Sequence, residues 1–278
     1  MTQDGPRRDR GDEHLPPAGL GSLIRTGARD FWRHRTTLIG IFALASTAVV
    51  VTTVAANLGS YAVGRPLVVV VLLEQIVPFF ALGVFFGFGM GASAIVFSSG
   101  HDAPGPRDAL RSTRSMGKDL LAAGLLAGMV MVTAVTLLYY LPILFLPLFF
   151  GPPMLVHVVA LDRLRLAPAA TRTRELLAGE KLRAFGALLP VAFLTGTLMY
   201  AAPNLVAVAT DPLGAVVRQP AAIITRVVTD AVSVGFFAAV AYAMFDDIKR
   251  RKDRPVPEES PPRDARATEP GRNRKKKR

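Results

Sequence analysis

The chain has 278 residues, 51% of them hydrophobic and 19% charged, with 33 Lys and Arg against 21 Asp and Glu for a formal net charge of +12. An ordinary soluble domain carries about 25% charged residues, whereas here the 42 residues from Leu120 to Leu161 contain no Asp, Glu, Lys or Arg at all. Apolar runs of about 18 or more residues belong in a bilayer, so a soluble enzyme, a disulfide scaffold (there is no Cys) and a disordered protein are excluded for the bulk of the chain.

Residues 1–19 mix Asp, Arg, Gly and Pro and read as a disordered tail. The first apolar segment, Leu38–Leu58, has 21 residues, one helical crossing of a hydrocarbon core about 30 Å thick. It is too long for the h-region of a signal peptide, roughly 7–15 residues. Leu67–Phe97 is a longer second span. The 42-residue run is twice a span, and Tyr139-Tyr140-Leu141-Pro142 marks its middle. Tyr prefers the membrane–water interface and Pro breaks helices, so a tight turn is expected there between spans three and four. Ala184–Ala202 and Val227–Phe245 supply spans five and six. The tail 249–278 is basic and Pro-bearing and reads as disordered. The expected fold is therefore all-α and polytopic, a six-helix transmembrane domain over residues 20–248.

Cations decide orientation. Thirty of the 33 Lys and Arg fall on the side of both termini, and only Arg65, Arg218 and Arg226 on the other. Both termini are expected in the cytoplasm, with the chain in a plasma (inner) membrane. Arg outnumbers Lys 26 to 7 and Ala and Val are abundant, as in a GC-rich bacterium.

Three segments on the basic side look alike: Pro17 to Phe31, Pro106 to Arg114, and Pro168 to Glu175, each a Pro followed by an Arg-bearing stretch that leads into a span. Leu20, Leu23, Ile24, Gly27 and Phe31 share one helical face, as do Leu166, Ala169, Ala170, Thr173 and Leu177. Amphipathic helices with Arg on the polar face lie in the membrane interface. The expected unit is an amphipathic elbow helix followed by a span out and a span back, three times over.

Gly151-Pro152-Pro153, His157-Val158-Val159-Ala160-Leu161 and the stretch Ala169–Gly179, in this order of elements, resemble the six-helix membrane domain attached to some bacterial glycerophosphoryl diester phosphodiesterases, which also occurs alone. The resemblance covers about residues 20–248 and implies an accessory or lipid-associated role without the hydrolytic activity.

Ionisable residues inside a membrane are costly and mark candidate sites. Glu74 beside Gln75 is the first, either as a solvated carboxylate at the outer interface or, kinked inward by Pro78, as a polar site within the bundle. Asp230 follows Arg226 by four residues, the spacing of a local ion pair. His157 lies in span four without a second ligand at i+3 or i+4, so no metal site is read. Asp162 marks the surface exit of that span. Gly83, Gly87 and Gly91 form a small-residue ridge in span two, and Gly124 and Gly128 one in span three; such ridges let helices approach closely, within one chain or between two copies. Anionic headgroups are the expected partners of Arg25, Arg29, Arg111, Arg114, Arg172, Arg174 and the run Lys249-Arg250-Arg251-Lys252. Nucleic acid is not expected, because no aromatic platform or basic module accompanies the charge. No nucleotide, zinc or nucleophile motif is present, and no catalytic residue, metal or cofactor is assigned. The expected function is a non-enzymatic scaffold or accessory subunit associated with lipid, working with a protein partner or as a homodimer. Transport of a small solute or lipid is the alternative, since Pro142, Pro147, Pro152, Pro153, Pro190 and Pro203 could break helices as transporters do.

Overall fold

A computed structural model describes residues 17–138 and 151–253. The expected turn at Tyr139–Pro142 and both chain ends, 1–16 and 254–278, lie outside the described residues. Those described form helices and short connections, with no strand among them. In chain order they are α1 (Leu20–Ala62), α2 (Leu67–Val69), a π-helical stretch Val70–Ile76 continuing into α3 (Val77–Ser98), α4 (Pro106–Ser112), α5 (Gly117–Leu138), α6 (Gly151–Asp162), α7 (Leu166–Leu177), α8 (Lys181–Ala209) and α9 (Ala215–Lys252).

Four of these, α1, the Phe80–Ser98 part of α3, α8 and α9, are long and apolar enough to cross a membrane. The charge-free run Leu120–Leu161 is carried by α5 and the 12-residue α6 on either side of residues 139–150. Pro190 and Pro203 do not break α8, which runs through both.

Turn chemistry explains the reversal after α1. Gly64 and Arg65 both take positive φ, 76° and 55°, and the Arg65 N–H reaches back to the Ser60 carbonyl at 3.0 Å. That is a left-handed helix stop, with Pro66 blocking continuation.

The first expected elbow is not a separate helix. Residues 20–37 continue without a break into α1, 43 residues in all: no Pro lies between Leu20 and Leu38 to stop the helix, and packing of its apolar stripe outweighs the low propensity of Gly21 and Gly27. Its apolar stripe meets protein: Leu23, Gly27 and Phe31 are buried, and a methyl on Gly27 would stand 2.7 Å from the Val240 Cα of α9. The second elbow is the seven-residue α4, extended by a 3₁₀ turn, Thr113–Met116. The third is the 12-residue α7, which buries Ala169, Thr173, Leu176 and Leu177. Ala170, expected on that face, is exposed, and Leu176 takes its place.

The packed core occupies one half of the bundle. In α1 burial runs from Leu23 to Ser46, after which only Ala56 and Ser60 are buried. In α8 no residue beyond Thr195 is buried, and in α9 none before Asp230. The close-packed half, built around Phe42, Met90, Leu120, Met154, Leu188 and Phe245, is the one nearer the arginine-rich end. The other half presents Val51, Leu58, Leu67, Leu205, Val208 and Val216 outward, the apolar surface a bilayer covers.

Candidate functional site

The basic end is where most described charges meet. Glu180 precedes α8, Arg183 lies in its first turn, and Asp247 and Arg251 lie in the last turns of α9. Arg183 reaches Glu180 Oε2 at 3.1 Å and Asp247 Oδ2 at 2.7 Å, while Arg251 reaches Glu180 Oε1 at 2.6 Å and Asp247 Oδ2 at 3.2 Å. Two guanidinium groups and two carboxylates thus close a ring, each side chain only 15–20% exposed. Arg183 also donates to the Ala18 carbonyl at 2.7 Å, so the start of the described chain is tied to the same ring. The Arg251 guanidinium beside Glu180 holds its carboxyl below the usual range, against the opposing effect of burial.

A second set of contacts clamps α7. The Leu166 N–H, at its start, donates to Asp119 Oδ1 of α5 at 3.0 Å. At its far end Lys252 Nζ donates to the Glu175 and Ala178 carbonyls, both at 2.7 Å. A carboxylate at a helix N-terminus and an ammonium at its C-terminus satisfy orphan backbone groups and complement the helix dipole; here both come from other helices. Lys249 pairs with Asp162 at the end of α6, and Arg172 of α7 with Asp253. Asp162, read as a surface residue, is an internal partner, its side chain 18% exposed.

These contacts divide the arginines and lysines expected to meet lipid. Arg172, Lys249, Arg251 and Lys252 hold helix ends together, and all four basic residues of 249–252 belong to α9 rather than to a tail. Arg250 pairs with Asp246 at 2.8 Å yet stays largely exposed. Arg25, Arg29, Arg111, Arg114 and Arg174 are exposed.

Within the apolar zone, the Asp230 carboxylate is buried and accepts a hydrogen bond from the Ser46 hydroxyl of α1 at 2.9 Å. Arg226 stands 3.8 Å from the same oxygen, so the i,i+4 pair is present and is the longer of the two contacts. His157 is fully buried, stacked on Phe245 with centroids 5.5 Å apart. Its Nδ1 lies 2.6 Å from the Pro153 carbonyl, to which it donates, and Nε2 meets no hydrogen-bond partner among the described residues. Asp230 and His157 lie in different parts of the bundle, with no contact between them. Glu74 and Gln75 fall in the π-helical stretch; their side chains lie outside the described residues.

The glycine ridges bring α3 and α5 together. A methyl on Gly124 would stand 2.6 Å from the Gly87 Cα, and one on Gly83 2.6 Å from Leu125 Cδ2. Gly91 faces Leu120, with Ala160 of α6 behind it. The surroundings of Gly128 lie outside the described residues.

Sequence reasoning missed Ser46, Asp119, Glu180, Arg183 and Asp247. Ser46 and Asp119 have partners 184 and 47 residues away that no local spacing announces. Glu180–Arg183 and Asp247–Arg251 stand at i,i+3 and i,i+4, a spacing that signals each local pair, but not the contacts 64 and 71 residues apart that close the ring. No family model matches this chain, and no curated protein or solved structure is detectably similar to it.

Proposed function

We propose that the protein is a six-span, non-enzymatic scaffold or accessory subunit of a bacterial inner membrane, with cytoplasmic termini and its arginine collar against anionic lipid. The observation that carries this reading is the use made of charge at the basic end: the Glu180–Arg183–Asp247–Arg251 ring, the clamps on α7 and the Asp162–Lys249 pair join five helices, α5 to α9, into one plate. Polar groups spent on fixing helix ends suit a part that must present a constant surface. The exposed arginines beyond the plate remain available to headgroup phosphates.

The test is native mass spectrometry of the tagged full chain released in its own lipid. A stoichiometric protein partner supports the accessory role, and a partner-free monomer that carries a polar solute overturns it. Transport is the second reading, favoured by the buried Asp230–Ser46 pair in the apolar zone and by the π-helical stretch bearing Glu74, a deformation frequent at functional sites. Solute uptake by vesicles containing the protein, abolished in Glu74→Gln or Asp230→Asn, would establish that reading instead.

A further inference from the structure

Between α1 and α3 runs an open groove of about 510 Å³, walled by Leu44, Ala48 and Thr52 on one side and Phe80, Val84 and Phe88 on the other. Its lining is almost wholly apolar, and it faces the surface the bilayer covers. At its basic end lies a second hollow of about 580 Å³, lined by Phe88, Leu110, Gly117 and three arginines, Arg107, Arg111 and Arg114. Phe88 and Leu110 line both, so the apolar slot and the basic hollow are adjacent and share these two side chains.

The arginines stand at i, i+4 and i+7 along α4 and the 3₁₀ turn that follows it, one helical face. Unlike Arg172, Arg183 and Arg251, none of the three has a carboxylate partner among the described residues. Asp108 is the acidic residue on the same short helix, exposed and adjacent to Arg107. Pro106 packs on Gly40 so closely that a methyl there would stand 2.8 Å from the Pro106 ring, which fixes α4 at that level of α1. Gly40 stands at the start of the apolar stretch Leu38–Leu58. The slot begins four residues deeper, at Leu44, about 6 Å along the helix, and continues to Thr52. Cations at headgroup level above an apolar slot at acyl-chain level are complementary to one chemistry, a phosphodiester anion carrying a hydrocarbon tail.

We propose that groove and hollow form a single seat for an anionic phospholipid of the arginine-side leaflet. Its phosphate rests on Arg107, Arg111 and Arg114, and one acyl chain lies between α1 and α3. The inference rests on the reading of the chain as a lipid-associated membrane protein and names the lipid class and its place.

The experiment titrates the purified full chain in detergent with phosphatidylglycerol and, separately, with phosphatidylcholine of the same acyl chains, counting bound lipid by native mass spectrometry. Each cation near an anionic group contributes about a factor of five, so wild type should prefer phosphatidylglycerol by about 100-fold. Arg107→Gln/Arg111→Gln/Arg114→Gln should erase that preference, while Arg25→Gln/Arg29→Gln should keep it. Ala48→Trp, which fills the slot, should weaken both lipids about tenfold or more; should that variant not fold, the arginine variant, altered only at exposed side chains, decides alone. Phosphatidylglycerol held equally by wild type and the triple variant overturns the seat while lipid association stands. Wild type with no preference for the anionic lipid overturns both, and inorganic phosphate displacing the lipid at equal concentration overturns the assignment to a lipid.

Discussion

The contact between α3 and α5 lends itself to a quantitative test at Gly87 and Gly124. A methyl added at Gly124 would stand 2.6 Å from the Gly87 Cα and 2.7 Å from the Gly87 nitrogen, about 0.8 Å inside the roughly 3.4 Å at which such atoms normally touch. A methyl at Gly87 would stand 3.1 Å from the Gly124 Cα and nearer still to the Leu120 carbonyl oxygen. The obstacles are backbone on both sides, so relief requires the two helices to move apart. That loses close packing along Gly83, Leu120 and Leu125 together, and overpacking of this kind costs about 1–3 kcal/mol. Gly87→Ala and Gly124→Ala should each lower stability by about 2 kcal/mol, a factor of about 30 in the folded-to-unfolded ratio. The double variant should cost well under the sum, because one separation accommodates both methyls, leaving a coupling of about 1–2 kcal/mol. Gly196→Ala in α8, with nothing within 4 Å of the added carbon, should not destabilise. Unfolding in mixed micelles followed by helical circular dichroism gives all four values. Wild-type stability in Gly124→Ala, or strict additivity in the double variant, would refute the argument.

Three further outcomes follow from the contacts described. Ser46→Ala removes the hydrogen bond to the buried Asp230 carboxylate and should cost about 1–3 kcal/mol; Ser46→Ala in an Asp230→Asn background should cost much less, which the same unfolding assay reads. Glu180 has its carboxyl depressed chiefly by Arg251, so its contribution is present at neutral pH, above the unfolded value, and is lost as pH falls through the lower folded value; thermal scans from pH 7 to 3 should show this loss, and Glu180→Gln should flatten it. In right-side-out vesicles, Val216→Cys, in an exposed position at the start of α9, should react with an impermeant thiol reagent, and Ser115→Cys, exposed beside α4, should react only after permeabilisation; the reverse pattern would invert the orientation.

What local spacing encodes is legible in the sequence, and what depends on distant pairs is not. Four apolar helices stand where hydropathy put spans, since length and the absence of charge are properties of consecutive residues. Glycines every fourth residue describe a groove on a helix, and α3 and α5 are the helices that meet there. The stripe Leu20, Leu23, Ile24, Gly27, Phe31 was ambiguous by nature: one period serves a helix lying on headgroups and a helix packed on a neighbour, and only the placement of Val240 beside Gly27 decides for the second. Likewise Lys249–Lys252 reads as a basic tail until Asp162, Glu180 and the last carbonyls of α7 are seen to face it. Ser46 shares no pattern with Asp230, 184 residues on.

The uneven packing of the bundle has a mechanical consequence. To pull the α3–α5–α6 group away from α1, α8 and α9 at the basic end, the Asp162–Lys249 pair and the attachment of α7 between Asp119 and Lys252 must give way together. At the opposite end few buried side chains oppose the same movement. The ties between helices are therefore concentrated at the charged plate, and the far ends are the more weakly held. A force that parts the helices should act first on those far ends, which few buried side chains tie together, and last on the arginine face.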